Sequence, residues 1–493
     1  MKNIKVYSHG PYIGNTGYNN HTRAFFRHLS NYCKIKVRNF TVGKTWSTMS
    51  EEPHNLEPYL NDIDKNILHE QILWGPNGER NNFKMYEKQG KDFNHDVNLV
   101  LCETNHHLFY DEYNGPKIAY NVWESTLQPE GFFEKLKEFD QLWVPSKWQK
   151  ECTVNQGYDE SKIRVVPEGV DVNTFNPNVN TSSHPILSEG RFTFFLAGRW
   201  DYRKSTKEII ESFINTFGES EPVDLIVSVD NPFSNDNLNS TEERLEYYGL
   251  TDDRIKILHF PPRDEYISLL KNCNVFISCS RSEGWNLPLI ESMSCGTPSI
   301  YSNCSGQLEF AEGKGIPINI LGEKPVNESD YNHFNESVGN YYEPDFNHLS
   351  KQMREVYNNY PHYKSKSIME SKEIRDNFSW ENVAKIGIDT LENFIENKPN
   401  KIDNNEIKIS YIDGPRVEII GDFYKTYYIE FIDGEGNVRF SDTITNNMWS
   451  ASSIKYYVPW TIKVNGEIIE KFTLKDKRVL IALESKSLGD TVA

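Results

Sequence analysis

Arg281-Ser-Glu-Gly-Trp-Asn-Leu-Pro-Leu-Ile-Glu-Ser-Met-Ser-Cys-Gly-Thr-Pro298 is the stretch on which the reading of this chain turns. Glu283 and Glu291 flank seven residues, with a glycine turn after the first and a helical pattern leading to the second. A loop and a helix can therefore turn both carboxylates toward one ligand. Carboxylates accept paired hydrogen bonds from hydroxyl groups. Free N–H groups of the turn at Gly284, Trp285, Asn286 and Leu287 can contact a hexose and its phosphate. On either side lie short apolar runs, Val275 to Cys279 and Pro298 to Tyr301, which read as buried strands.

Working outward, the same alternation of apolar runs and helical patterns continues through about residue 390, the signature of an α/β chain with parallel sheets covered on both faces. Phe192 to Ala197, Asp224 to Val229 and Ile255 to Leu258 complete one series of strands. An earlier series runs through Ile4 to Ser8, Ile35 to Phe40, Val97 to Cys102, Lys117 to Asn121 and Gln141 to Pro145. The turn-rich stretch Asn173 to Glu189 separates the two, so the expected organisation is one Rossmann-like domain over 1–172 and a second over 173–396. Ser379 caps a helix with Val383, Ile386, Ile388, Leu391 and Phe394 on its apolar positions, expected to close the second half. Beyond a polar linker at 397–405, alternation and the turn pairs Asp413-Gly, Asp433-Gly and Asn465-Gly predict a small antiparallel β domain over 406–474. Residues 476–493 read as the possible start of a further Rossmann-like domain: the strand there either adds to a sheet already present or, the favoured expectation, belongs to a longer protein of which this sequence is a fragment.

The 493 residues carry a formal net charge of −18, which argues against a nucleic-acid coat or a broadly cationic membrane-binding surface. The seven cysteines are dispersed and lack a C-x-x-C pair, so neither a disulfide framework nor a zinc site is expected, and a cytoplasmic location follows. No apolar run is long enough for a membrane span, which leaves peripheral contact as the membrane option.

Two other segments bear chemistry. Gly14 and Gly17 lie between the first strand and a helix, where backbone N–H groups attract phosphate; an ordinary connecting turn is the alternative. Leu196-Ala-Gly-Arg-Trp-Asp-Tyr-Arg-Lys-Ser follows the first strand of the second half, and there Arg199 and Lys204 can neutralise charge growing on a diphosphate, with Arg203 as a competing candidate.

Arg199 and Lys204, the spacing of Glu283 and Glu291, Val144-Pro-Ser-Lys-Trp and Val166-Pro-Glu-Gly-Val-Asp together resemble the family 4 retaining glycosyltransferases of the GT-B fold, over roughly residues 1–395. The resemblance implies two Rossmann-like domains facing across a cleft and a nucleotide diphosphate sugar as donor substrate. It puts Glu283 on a donor-sugar hydroxyl, Glu291 on the ribose and the basic pair on the diphosphate. A donor phosphate oxygen would assist deprotonation of the acceptor. Glu168 stands where the family more often has Asn. The family often places a histidine after the strand that here reads Lys117-Ile-Ala-Tyr-Asn-Val-Trp-Glu-Ser, so Asn121 or Glu124 is expected to line the reaction centre, ahead of His106 and His107. No metal site is evident, and no cofactor is required. The tail, with Trp449, Tyr456, Tyr457 and Trp460, is similar to the beginning of bacterial autotransporter heptosyltransferase-like proteins, and this hints at cell-surface glycan or protein glycosylation. Acceptors would be a glycan, a lipid or a protein. The rival readings are a sugar-nucleotide epimerase or phosphorylase on the same architecture, and a non-catalytic sugar-nucleotide or glycan-binding scaffold.

Overall fold

The computed structural model describes residues 4–12, 16–41, 67–73, 95–101, 115–231, 237–259, 261–326, 336–397, 405–411, 414–421, 425–453 and 459–473. They form two compact units, Met1–Ile395 and Glu396–Ala493.

The first unit holds two parallel sheets. One is built from β1 (Lys5–Gly10), β2 (Lys34–Thr41), β3 (Ile67–Leu73), β4 (Val97–Leu101), β5 (Lys117–Tyr120), β6 (Gln141–Val144) and β7 (Ile163–Val165), in the order β3-β2-β1-β4-β5-β6-β7. The other joins β8 (Phe192–Ala197), β9 (Val223–Ser228), β10 (Ile255–Ile257), β11 (Val275–Ser278), β12 (Ser299–Ser302) and β13 (Ile316–Ile318), in the order β10-β9-β8-β11-β12-β13. Both therefore reverse direction beside their first strand, the doubly wound arrangement expected from the alternation of apolar runs. Side chains leave each strand to opposite faces: Phe194 and Leu196 enter one core, while Phe195 between them enters the other. An antiparallel pair, β14 (Ile320–Pro325) with β15 (Asn340–Pro344), follows the second sheet.

The chain crosses between the halves twice, side by side. Val170 N donates to Phe378 O at 2.8 Å, and Trp380 N donates to Val170 O at 3.3 Å. Gly169 is required at this contact, because a Cβ there would stand 2.7 Å from the Trp380 ring. The helix Trp380–Glu396 does not close the second half as expected. Its Trp380, Val383, Ala384, Ile388 and Leu391 share a core with Phe25, Phe26, Ile118 and Tyr120 of the first.

In the second unit, β16 (Glu406–Ser410), β17 (Arg416–Ile420), β18 (Tyr427–Asp433), β19 (Val438–Ile444), β20 (Met448–Ala451), β21 (Trp460–Val464) and β22 (Glu467–Phe472) make two antiparallel sheets, β16-β17-β20 and β19-β18-β21-β22. Asn465 and Gly466, at φ 52° and 84°, supply the left-handed turn between the last two strands. Trp460 is buried among Val417, Phe431 and Ile462, whereas Trp449 is exposed. Trp460→Ala is expected to destabilise this unit by about 3–5 kcal/mol, read by urea unfolding. Tyr456 and Tyr457, and the strand expected from Lys477, lie outside the described residues.

Candidate active site

In the second sheet β8 and β11 are neighbours whose following loops diverge, the place where open α/β sheets hold ligands. The loop after β8 carries Arg199, Arg203 and Lys204, and the loop after β11 carries Glu283. Local chemistry locks the two loops together. Arg281 N donates to Arg203 O at 2.7 Å, and the Arg281 guanidinium lies 3.7 Å from the centre of the Tyr202 ring while donating to Ser205 Oγ and Glu208 Oε1, both at 2.9 Å. Glu283 N donates to Ser305 Oγ at 3.0 Å, and Gly306 N donates to Glu283 O at 2.9 Å.

The Glu283 carboxylate is buried between two cations. Lys204 Nζ donates to Oε1 at 2.6 Å and Arg203 donates to Oε2 at 2.8 Å. Burial pushes this carboxyl up, but the Arg203 and Lys204 charges outweigh it and hold it at about 2. Arg203 also reaches into the first half, its Nε 3.1 Å from Oε2 of Glu124 on the loop after β5. Burial opposes the Arg203 charge, and Glu124 and Glu283 overcome that to keep the guanidinium protonated. Glu124, Glu283, Arg203 and Lys204 thus make a neutral quartet spanning both halves.

Backbones meet at the same place. A Cβ on Gly284 would collide with Val122 and lie 3.1 Å from Trp123 O, while Tyr18 Oη donates to Val122 O at 2.8 Å. Gly17 sits at the start of the helix Gly17–Leu29, and a Cβ on it would be 3.8 Å from Leu287 Cδ1. Asn286, at φ 87°, caps the helix Leu287–Ser294 by accepting from Leu289 N at 3.3 Å, and its amide donates to Ser278 Oγ and Gln307 Oε1.

Other expected residues are placed differently. Arg199 stands at the rim, its side chain about half exposed and 3.5 Å from Asp201. Asn121 is fully buried, and its Oδ1 accepts from Gln128 at 3.1 Å and from Gln149 at 3.0 Å, so of the two residues expected at the reaction centre it is Glu124 that joins the quartet. The Trp285 side chain packs against Phe310 and Phe378 in the core. Both oxygens of Glu291 are engaged, by Arg263 and by Tyr266 Oη, each at 2.8 Å. Gly14, His106 and His107 lie outside the described residues. Arg203, a competing candidate in the sequence, is the central cation. Its one sequence signal is its place beside Lys204. No group of three or more His, Cys, Asp or Glu side chains able to hold a metal occurs among the described residues, and none of their helices is long and apolar enough to cross a membrane.

Residues 181–316 match the family model "Glycosyl transferases group 1". Among curated proteins, D-inositol 3-phosphate glycosyltransferase of Paenarthrobacter aurescens is 26% identical over 184 residues, 36% of this chain and 44% of that protein. The UDP-Gal:alpha-D-GlcNAc-diphosphoundecaprenol alpha-1,3-galactosyltransferase of Escherichia coli is 33% identical over 171 residues, 32% of this chain and 41% of that protein. The chain thus spans less than half the length of these relatives. Among solved structures, Anabaena HepE in complex with UDP and glucose superposes with a TM-score of 0.58 at 12% identity, over 79% of this chain and all of that one. The fold of the first unit is GT-B.

Proposed function

We propose that this chain is a retaining glycosyltransferase of the family 4 type, moving a sugar from a nucleoside diphosphate donor to a glycan, lipid or protein acceptor in the cytoplasm. The observation that carries this reading is the Glu283 carboxylate held ionised between Arg203 and Lys204 at the turning point of the second sheet, with Glu124 presented from the first. Lys204 and Arg199 meet the diphosphate and offset the charge it gains as the glycosyl bond breaks, Glu283 accepts hydrogen bonds from sugar hydroxyls, and Glu291 faces the ribose. Catalysis is then positioning plus electrostatics, with both halves excluding water from the donor. Acceptor attack from the face that the diphosphate leaves gives retention. The UDP-sugar names among the relatives favour a uridine donor.

The test is release of nucleoside diphosphate from UDP-, GDP- and ADP-sugars, with cell-surface extract as acceptor source and the anomeric configuration of the product read by NMR. Acceptor-stimulated release from one donor supports the reading, and binding without release from any donor favours a scaffold. Lys204→Ala is expected to lower turnover about a hundredfold and Arg199→Ala, at the rim, about tenfold.

A further inference from the structure

Beneath the quartet lies another buried acid. Glu168 sits on the first crossing segment, 4% exposed, and its Oε2 is 3.4 Å from Nδ1 of His21, which is 1% exposed. The His21 ring stacks on Trp380 and meets Tyr120 edge-on, and its Nε2 is buried with no hydrogen-bond partner among the described residues. The titratable groups that face Glu168 are His21 from the helix Gly17–Leu29, Tyr120 from β5, Glu124 from the loop after β5 and Glu283 from the loop after β11. Tyr120 Oη already donates to Pro167 O at 3.0 Å, and Arg203 already holds both Glu124 and Glu283. A second charge on this floor would stand unpaired beside two carboxylates.

We propose that Glu168 is a positioning residue that keeps its proton beside His21 Nδ1, and so keeps the ground next to Glu124 and Glu283 uncharged while a diphosphate enters. Ionised, Glu168 would repel both neighbouring carboxylates and so loosen the group that bridges the halves. Burial first, then the Glu124 and Glu283 charges, push Glu168 up to about 8, and burial lowers His21 to about 3. Between those values the pair holds one proton, on the acid.

The consequence for stability has a definite sign. An unfolded glutamate ionises near 4.5, so between 4.5 and about 8 the folded chain binds the extra proton and its stability falls as pH rises. His21 acts oppositely between about 3 and 6.5, where the unfolded chain binds more protons, so above 6.5 only Glu168 of this pair contributes.

Only the effect on turnover rests on the transferase reading. The full chain, with Glu168→Gln and Glu168→Ala, would be melted at pH 6.5 and 8.5, and kcat followed across the same range. The Tm of Glu168→Gln relative to wild type should rise by about 2–5 °C between the two pH values. Glu168→Ala should lower kcat about tenfold, Glu168→Gln should recover most of that loss, and wild type should show an alkaline limb near pH 8 that the glutamine variant lacks. A Tm difference independent of pH would overturn the proposal, as would an alkaline limb retained in Glu168→Gln. If no donor turns over at all, the transferase reading falls while the melting experiment still decides whether Glu168 holds its proton. Glu168→Asn serves the same comparison should the glutamine variant fail to fold.

Discussion

Glu283→Gln is expected to lower turnover by about 10²–10³-fold while nucleoside diphosphate binds at least as tightly as to wild type. Glutamine keeps the shape of the side chain and removes the charge. In the free protein Glu283 occupies Lys204 at 2.6 Å and Arg203 at 2.8 Å, so an incoming diphosphate competes with this carboxylate for Lys204. The substitution ends that competition, which favours binding, and weakens acceptance of sugar hydroxyl protons, which slows transfer. It also leaves Lys204 without its carboxylate, so the unliganded variant should lose about 1–3 kcal/mol of stability and regain part of it when UDP is added. Titration calorimetry with UDP, beside steady-state kinetics, separates the two effects. A variant that turns over within tenfold of wild type would remove Glu283 from the reaction centre.

Gly306→Ala is expected to destabilise the first unit by about 3 kcal/mol or more and to cut turnover about a hundredfold, although the residue carries no side chain to contribute. Gly306 lies against the turn that bears Glu283. A Cβ there would run into the Gly284 carbonyl oxygen and stand 2.6 Å from the Gly284 carbonyl carbon and 2.8 Å from Glu283 O. All three atoms are backbone, so no side chain can swing aside. Relief requires the loop to shift, and this carries the Glu283 carboxylate off Arg203 and Lys204. Gly190→Ala is the matched control: Gly190 is at φ 75° with nothing within 4 Å of an added Cβ, so it should cost only the roughly 1 kcal/mol of a left-handed alanine. Equal urea midpoints for the two variants would refute the steric argument.

The fold was legible where burial on both faces writes continuous apolar runs. Phe192 to Ala197 is recovered residue for residue, and Val275 to Cys279 within one position. Five described strands of the first unit escaped this reading, Ile316–Ile318 and Asn340–Pro344 among them. Ile163–Val165 is only three residues long, Ile67–Leu73 carries His69, Glu70 and Gln71 at its centre, and Ile320–Pro325 is mostly exposed. The helix Trp380–Glu396 was recognisable as a helix, but its partner was not. Its apolar face fits any apolar surface, and only the crossing at Val170 shows which half it covers. The motif spacing singled out Glu283 and Lys204 as candidates, and the fold brings the two side chains together. The weight on Arg203 arises from Glu124, far away in sequence, and Asn121 owes its engagement to Gln128 and Gln149. Such pairings depend on which loops the sheets bring together, information that no local pattern carries.

The side-by-side crossings at Val170 and Ser379 also have a consequence for how the protein is made. The core that β1, β4 and β5 begin has its last wall supplied by Trp380, Val383, Ala384, Ile388 and Leu391, which leave the ribosome roughly two hundred residues after β7. At about 5–20 residues per second that is an interval of roughly ten to forty seconds. Throughout it, the surface around Phe25, Ile118 and Tyr120 stands without its cover, so the nascent first half is the stage at which a holding chaperone has most to bind.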